Sequence, residues 1–143
     1  INKYFQLHIY SEIRSEEFSS RYKDLLNKNI FLNQKISNIE IMQKISQSCY
    51  GLSINAKFYP YAFGTKVFDY MGLDKKVILI SPKGELYSLL EKKAQFVSDY
   101  EIEYIKQMLL EIKKDFLKQQ DKNVNFKEFD FNKLTQTMVS LLK

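Results

Sequence analysis

The stretch that decides the fold is residues 64–90, which read GTKVFDYMGLDKKVILISPKGELYSLL. Its centre, KVILIS at 76–81, holds four consecutive apolar residues, as expected of a strand that is covered by helices on both faces. Apolar residues at helical spacing precede and follow this run, and Gly84 opens the second helical segment. A helix, a buried strand and another helix in this order predict part of a parallel α/β sheet.

The rest of the chain repeats this alternation of short apolar runs and amphipathic stretches. Further strands are predicted at 5–10, 29–33, 50–55 and 95–98. Helices are predicted at 15–27, after Ser37, from about 65 to before 74, after Gly84, over 102–116 and at 132–142. Ser37 and Glu40 form a predicted capping box. We therefore predict an α/β fold, with a doubly wound, mostly parallel, five-stranded Rossmann-like sheet and helices on both faces.

Composition indicates one globular domain over residues 1–143, because 45% of the residues are hydrophobic and no linker composition is present. A single cysteine, Cys49, and a single histidine, His8, give neither an internal disulfide nor metal-ligand spacing, so no metal site is predicted. Cys49 is expected to be a small buried hydrophobe. No apolar run is long enough to span a bilayer, and a reducing, cytoplasmic location is expected.

The net charge of +5 favours anionic partners, while the interleaving of Lys with Glu and Asp argues against a nucleic-acid interface. No catalytic residue is assigned, since His8 has no identifiable Ser or Cys partner. The chain starts at Ile1 rather than Met, so we expect it to be a piece of a longer protein.

The first candidate site lies in residues 55–72, where an aromatic loop leads into a helix at Gly64 and Thr65. With Thr65 as the N-cap, the free amides of the first turn and the helix dipole form an anion site, and Lys66 adds a positive charge. Asp69 shares a face with Lys66 and is able to accept hydrogen bonds from ribose hydroxyls. The alternative is a plain cap, a surface ion pair and a core stripe of Val67, Phe68 and Met71.

Residues 81–85 form the second candidate site, because they connect the best strand to the next helix. Ser81, Lys83 and the amides of Gly84 and Glu85 are expected to face one crevice that suits a diphosphate or a sugar. A turn with a solvated lysine is an equally good interpretation. The aromatic residues Phe58, Tyr59, Tyr61 and Phe63 crowd the preceding loop, where they either plug a pocket or stack on a flat ligand.

Residues 64–99 resemble the C-terminal domain of the glycogen-synthase-like, group 1 glycosyltransferases, which have the B-type two-domain fold. That family shows a Pro/Gly-x-Lys-x-x-Glu-Tyr-Met-Ala helix, then Gly-Lys-Pro-Val-Ile, a buried strand, a Gly-Glu turn and a Leu-Leu helix. The matching positions here are Lys66, Asp69, Tyr70, Met71, Lys75, Val77, Ile78, Gly84, Glu85, Leu89 and Leu90.

The resemblance implies a bacterial enzyme that moves a sugar from a nucleotide diphosphate sugar to a cell-surface glycan or glycolipid. Donor-binding positions would be Gly64, Thr65, Lys66, Asp69, Ser81, Lys83, Gly84 and Glu85, with no cofactor beyond the donor substrate. An N-terminal domain of the same protein would hold the acceptor. Peripheral contact with the inner face of the membrane and homo-oligomerisation are compatible with this assignment.

Several positions depart from the family pattern. Asp69 replaces the family's Glu, Tyr61 stands where a second Glu is expected, Ser11 replaces a Gly, and Lys76 replaces a Pro. The family's first strand-helix unit is not recognisable. These departures favour an alternative, a non-catalytic α/β interaction module or a degenerate glycosyltransferase domain. A response-regulator-like domain is disfavoured, since Glu12 alone does not make an acidic phosphoacceptor pocket.

Overall fold

The computed structural model describes residues 5–12, 16–59 and 63–120. Strands and helices alternate along the chain. In order, they are β1 (Leu7–Ser11), α1 (Glu16–Arg21), β2 (Ile30–Gln34), α2 (Asn38–Gln47), β3 (Tyr50–Ile54), α3 (Thr65–Gly72), β4 (Lys76–Ile80), α4 (Glu85–Lys92), β5 (Phe96–Ser98) and α5 (Ile102–Gln120). Two compact units are present, Ile1–Ile41 and Met42–Lys143, and the division falls inside α2.

The predicted α/β class with five parallel strands is confirmed. The strands form two small sheets, one of β1 and β2 and one in the order β3-β4-β5. All three strand pairings are parallel, which is why a helix is needed to return the chain between β3, β4 and β5.

The first unit is built on the β1-β2 pair, whose residues are mostly half-buried. His8 lies opposite Phe31 in the register, and the two rings stack with centroids 4.7 Å apart. The helix predicted for 15–27 ends at Arg21, because the following residues turn instead. The Leu25 carbonyl accepts hydrogen bonds from the amides of Asn29 and Ile30 there.

The start of α2 has the capping box that the sequence predicts. The Ser37 hydroxyl accepts from the Glu40 amide at 3.3 Å, and the Glu40 carboxylate accepts from the Ser37 amide at 3.0 Å. The Ser37 hydroxyl also donates to the Glu40 carboxylate at 2.7 Å, and this bond, followed by the bond from the Ser37 amide, lowers the pKa of Glu40.

In the second unit, α3 and α4 cover one face of the three-stranded sheet. Val77 and Leu79 of β4 point to this face and are fully buried. They form one cluster with Val67 of α3 and with Leu86 and Leu90 of α4. The four-residue apolar run therefore predicted the central strand of this sheet correctly.

The opposite face of the same sheet is covered by α5. Asp115 of α5 binds Lys76 at 2.6 Å and accepts a hydrogen bond from the Tyr50 hydroxyl at 3.1 Å. Lys76 also lies over the Phe96 ring, 5.5 Å from its centroid. Tyr50, Lys76 and Phe96 stand in the alternate register to Val77 and Leu79, so their side chains share the α5 face. Helices on both faces are thus present in this unit.

Three core predictions were wrong. Phe68 is 50% exposed, because the turn of α3 that meets the sheet is occupied by Val67, Tyr70 and Met71 instead. Ile102, which the sequence pattern places on the apolar face of the helix at 102–116, is also exposed because it is the first residue of α5. Cys49 is exposed because α2 ends at Gln47 and leaves it in the turn before β3.

Some predictions lie outside the described residues, namely the helix at 132–142 and the position of Tyr61. Within the described part of the chain, no helix combines the length and the apolar character needed to cross a membrane.

Candidate functional site

The carboxyl ends of β3, β4 and β5 lie at one edge of the three-stranded sheet, because the strands are parallel. We call this the carboxyl edge, and it is where open parallel sheets bind ligands. It is reached from β3 through the loop before α3, and from β4 through residues 81–84. The loops of both candidate sites therefore lie at this edge.

Buried polar side chains collect at the carboxyl edge. Ser53, Asn55, Ser81 and Ser98 are each at most 9% exposed, whereas the sheet interior next to them is apolar. Asn55 donates through Nδ2 to the Ser81 hydroxyl at 3.2 Å, and its amide donates to the Ile80 carbonyl. Asn55 thereby ties the end of β3 to the end of β4.

Tyr100 extends this polar network beyond β5. Its hydroxyl donates to the Asn55 carbonyl, and the Ser81 amide donates to the Ser98 carbonyl at 3.0 Å. Burial raises the pKa of the Tyr100 phenol, so this donor keeps its proton through the physiological range. All three strand ends are thus held together by hydrogen bonds.

Helix α3 starts directly against this network. A Cβ placed on Gly64 would lie 3.3 Å from Ser53 Oγ and 3.4 Å from Asn55 Oδ1. The N-cap is Gly64, with no side-chain cap, so the prediction of Thr65 as N-cap was wrong: Thr65 is already the first helical residue. The first intrahelical acceptor is the Gly64 carbonyl, which accepts from Val67, so the Thr65 and Lys66 amides precede the helical ladder.

Helix α4 begins in the same way. Gly84 is its N-cap in an extended conformation, again without a side-chain cap, and its carbonyl accepts from Ser88. The amides that precede this bond, with the positive end of the helix dipole, form a second anion-suited terminus. Lys83 stands just before it and is exposed.

The charged residues predicted for the site lie at the surface. Lys66 and Asp69 form an ion pair at 3.3 Å, with side chains 61% and 37% exposed. Such an exposed pair stabilises a helix by only about 0.3–0.5 kcal/mol, so both groups remain available to a ligand. Glu85 and Thr65 are exposed as well.

Ser81 has a different position from the other predicted site residues. It is 1% exposed, its hydroxyl donates to the Pro82 carbonyl at 3.1 Å, and it accepts from Asn55. A hydroxyl used in this way fixes the strand-to-helix turn rather than reaching into solvent. Its place is beneath the candidate site.

Asn55 and Tyr100 are two residues of the carboxyl edge to which the sequence assigned no role. A signal for Asn55 existed, since Ser53 and Asn55 are two apart at the end of a predicted strand and so share a face. Two polar residues on the face where Val77 and Leu79 are buried indicate a polar end to the core. Tyr100 had no comparable signal, because its contact with Asn55 spans 45 residues.

Among the described residues of the aromatic loop before α3, no ring plugs a pocket. Phe58 is 84% exposed, Tyr59 52% and Phe63 42%. These three rings are exposed, and stacking on a flat ligand stays a prediction for them.

A separate depression of about 680 Å³ lies in the first unit, at the carboxyl ends of β1 and β2. Its charged groups are already paired: Lys35 binds Glu12 at 2.5 Å, and Glu40 caps α2. Within the described residues, no group of three His, Cys, Asp or Glu is arranged to hold a metal ion.

Comparisons with protein-family models, with curated proteins and with solved structures found no match for this chain. The resemblance carried by residues 64–99 therefore rests on those residues alone.

Proposed function

We propose that this chain is the nucleotide-sugar-binding domain of a glycosyltransferase that passes a sugar to a cell-surface glycan or glycolipid. The observation that carries the proposal is the pairing of two helix N-termini at one carboxyl edge. Both have a glycine N-cap and no side-chain cap, so the amides of both are open to an anion. Two such termini on neighbouring crossover helices suit the two phosphates of a nucleoside diphosphate.

Most of the predicted residues have a physical role in this proposal. The amides of Thr65 and Lys66 and those of Glu85 and Leu86 would bind phosphate oxygens, with Lys66 and Lys83 adding charge. Asp69 would accept hydrogen bonds from the ribose hydroxyls. Stabilising the departing diphosphate by amides and lysines lowers the barrier to sugar transfer. An acceptor-binding N-terminal domain would complete the enzyme, so we expect the present chain to bind its donor weakly and to turn over none.

The test is an NMR titration of the chain with millimolar nucleoside diphosphates and nucleoside diphosphate sugars, in which binding is measured from the amide chemical shifts. We expect the largest shifts at Thr65, Lys66 and the start of α4, and roughly fivefold weaker binding in Lys66→Ala, since one lysine contact is lost. Lys92→Ala, at the opposite end of α4, is the matched control. Shifts absent from both helix starts with every nucleotide tested would overturn the proposal.

Asp69 permits a sharper comparison between ligands. Asp69→Ala should weaken the binding of a nucleoside diphosphate, because the ribose contact is lost. The same substitution should strengthen the binding of inorganic pyrophosphate, because a nearby negative charge is gone. Equal changes in the affinity for the two ligands would show that Asp69 does not bind the ribose.

A non-catalytic α/β interaction module is the second candidate, and one observation favours it. Asp69 stands where the resemblance expects a longer Glu, and Tyr61 stands where it expects a second Glu. Transferase activity that is unchanged by Asp69→Ala in the full-length protein would support this candidate over a donor-binding domain.

A further inference from the structure

Asn55 lies next to the segments that lead into both crossover helices, α3 and α4. Its Oδ1 is 3.4 Å from the position that a Cβ on Gly64, the N-cap of α3, would occupy. Its Nδ2 donates to the Ser81 hydroxyl at 3.2 Å, and Ser81 stands three residues before Gly84, the N-cap of α4. One side-chain amide therefore meets the start of α3 with its oxygen and the connection to α4 with its nitrogen.

The connection from Ser81 to α4 is short and restricted. It consists of residues 81–84, and the Ser81 hydroxyl donates to the Pro82 carbonyl at 3.1 Å. The ring of Pro82 fixes the φ angle of that residue. Because a proline and a hydrogen bond restrict so short a segment, the position of Ser81 determines where Gly84 and the first amides of α4 lie.

Asn55 is itself held in place by further hydrogen bonds. Its amide donates to the Ile80 carbonyl at 2.9 Å, and its carbonyl accepts from the Tyr100 hydroxyl. Asn55 is 8% exposed, and among the described residues no buried side-chain nitrogen or oxygen lacks a hydrogen-bond partner. A buried polar network that is fully bonded fixes one arrangement of the atoms that it joins. The Asn55 side chain is therefore a rigid link between the two helix starts.

We propose that Asn55 is a positioning residue that sets the spacing between the N-termini of α3 and α4, so that the site selects a diphosphate over a single phosphate. A diphosphate gains from both termini only when their spacing matches the separation of its two phosphate groups, whereas a single phosphate needs one terminus. This inference rests on the proposed function, and it adds the residue that determines which anion is bound.

Titration of the chain with inorganic pyrophosphate and with inorganic phosphate measures the selectivity, with the amide shifts at the starts of α3 and α4 as the readout. In the parent, pyrophosphate should bind at least roughly tenfold more tightly than phosphate. Asn55→Ala should lower this ratio of affinities roughly fivefold, while the affinity for phosphate changes less than about twofold. A general loss of structure would weaken the binding of both anions, so the ratio separates positioning from a purely structural role.

Ser81→Ala provides a second, milder variant, because it removes the acceptor of the Asn55 Nδ2 bond. It should lower the ratio as well, and it decides the question if Asn55→Ala does not fold. Ser98→Ala is the matched control, since Ser98 is a buried serine at the same edge whose hydroxyl donates to the Asp99 carbonyl at 2.9 Å. An unchanged ratio in Ser81→Ala, or an equal fall in Ser98→Ala, would contradict the positioning role.

A spectrum without ligand tests the link through Asn55 separately from the proposed function. In ligand-free Ser81→Ala, the amides of Gly64 and Thr65 should shift, because the change reaches α3 through Asn55. Ser98→Ala should leave these amides in place. Unshifted amides at the start of α3 in Ser81→Ala would overturn the positioning role even if the parent binds pyrophosphate, and the proposed function would then stand without it. A parent that binds neither these anions nor a nucleoside diphosphate would overturn the proposed function as well.

Discussion

At the scale of single residues, the contact that fixes α3 on the sheet is between Gly51 and Tyr70. A Cβ on Gly51 would lie 2.1 Å from Tyr70 Cγ, closer than any real contact allows. The Tyr70 hydroxyl donates to the Leu52 carbonyl at 3.2 Å, so the ring is held over β3 at both ends. Burial, and then the charge of Asp69, raises the pKa of Tyr70 and keeps the donor protonated.

This contact predicts a large effect for a small substitution. Gly51→Ala should lower the free energy of unfolding by about 3 kcal/mol, because the added methyl must push the Tyr70 ring off β3. Gly64→Ala is the control, since its Cβ would meet atoms at 3.3–3.4 Å and should cost less than about 1 kcal/mol. Urea unfolding of both variants measures the difference, and equal costs would show that the ring is not locked over Gly51.

At the scale of elements, strand and helix positions were largely predictable. The predicted strand at 76–81 is observed as Lys76–Ile80, and the helix after Gly84 as Glu85–Lys92. Local patterns are sufficient there, because strong apolar periodicity and a glycine boundary agree. The side of α3 that packs was not predictable, since Phe68 and Tyr70 are both apolar enough for a core. Only the empty surface at Gly51, 19 residues earlier, selects Tyr70.

The helix-to-strand turns after α3 and after α4 share one geometry. After α3, Asp74 adopts φ 57° and the Lys75 amide donates to the Tyr70 carbonyl. After α4, Ala94 adopts φ 53° and the Gln95 amide donates to the Leu90 carbonyl. Both turns therefore place a non-glycine residue in the left-handed conformation that ends a Schellman motif.

Replacing one of these residues should stabilise the protein. Ala94→Gly should raise the free energy of unfolding by about 1 kcal/mol, because alanine is strained at positive φ and glycine is not. Ala56→Gly, an exposed position outside the left-handed ones, should instead lower it slightly through added unfolded-state entropy. Thermal unfolding of the two variants measures the direction of both changes in stability. A destabilised Ala94→Gly would contradict the strain argument.

At the scale of the molecule, the buried apolar residues among those described all belong to the second unit. In the first unit the strands are half-buried at most, so its stability comes from fewer apolar contacts. Composition alone did not reveal this, since apolar residues are spread along the whole chain. What distinguishes the second unit is that helices cover both faces of its sheet.

Tyr50, on the α5 face of that sheet, makes the free energy of unfolding depend on pH in the alkaline range. Burial raises the pKa of Tyr50, and the neighbouring Asp115 carboxylate raises it further. The folded chain therefore holds this proton at a pH where the unfolded chain, with an ordinary phenol pKa of about 10, has released it. The stabilisation is complete below about pH 10 and is lost as the pH rises from there towards the folded-state pKa.

Comparing the chain with Tyr50→Phe isolates this dependence. Above about pH 10 the parent should lose at most about 1.4 kcal/mol more per pH unit than the variant, and less where solvent screens the ring. The variant starts about 1 kcal/mol less stable at neutral pH, because the bond to Asp115 is absent, so the two curves should converge. Urea unfolding between about pH 8 and pH 11 measures the free energy of unfolding of the parent and of Tyr50→Phe. Tyr104→Phe, which removes the hydroxyl of an exposed tyrosine of α5, is the control. Parallel curves for the parent and Tyr50→Phe would mean that the attachment of α5 through Asp115 does not depend on the Tyr50 proton.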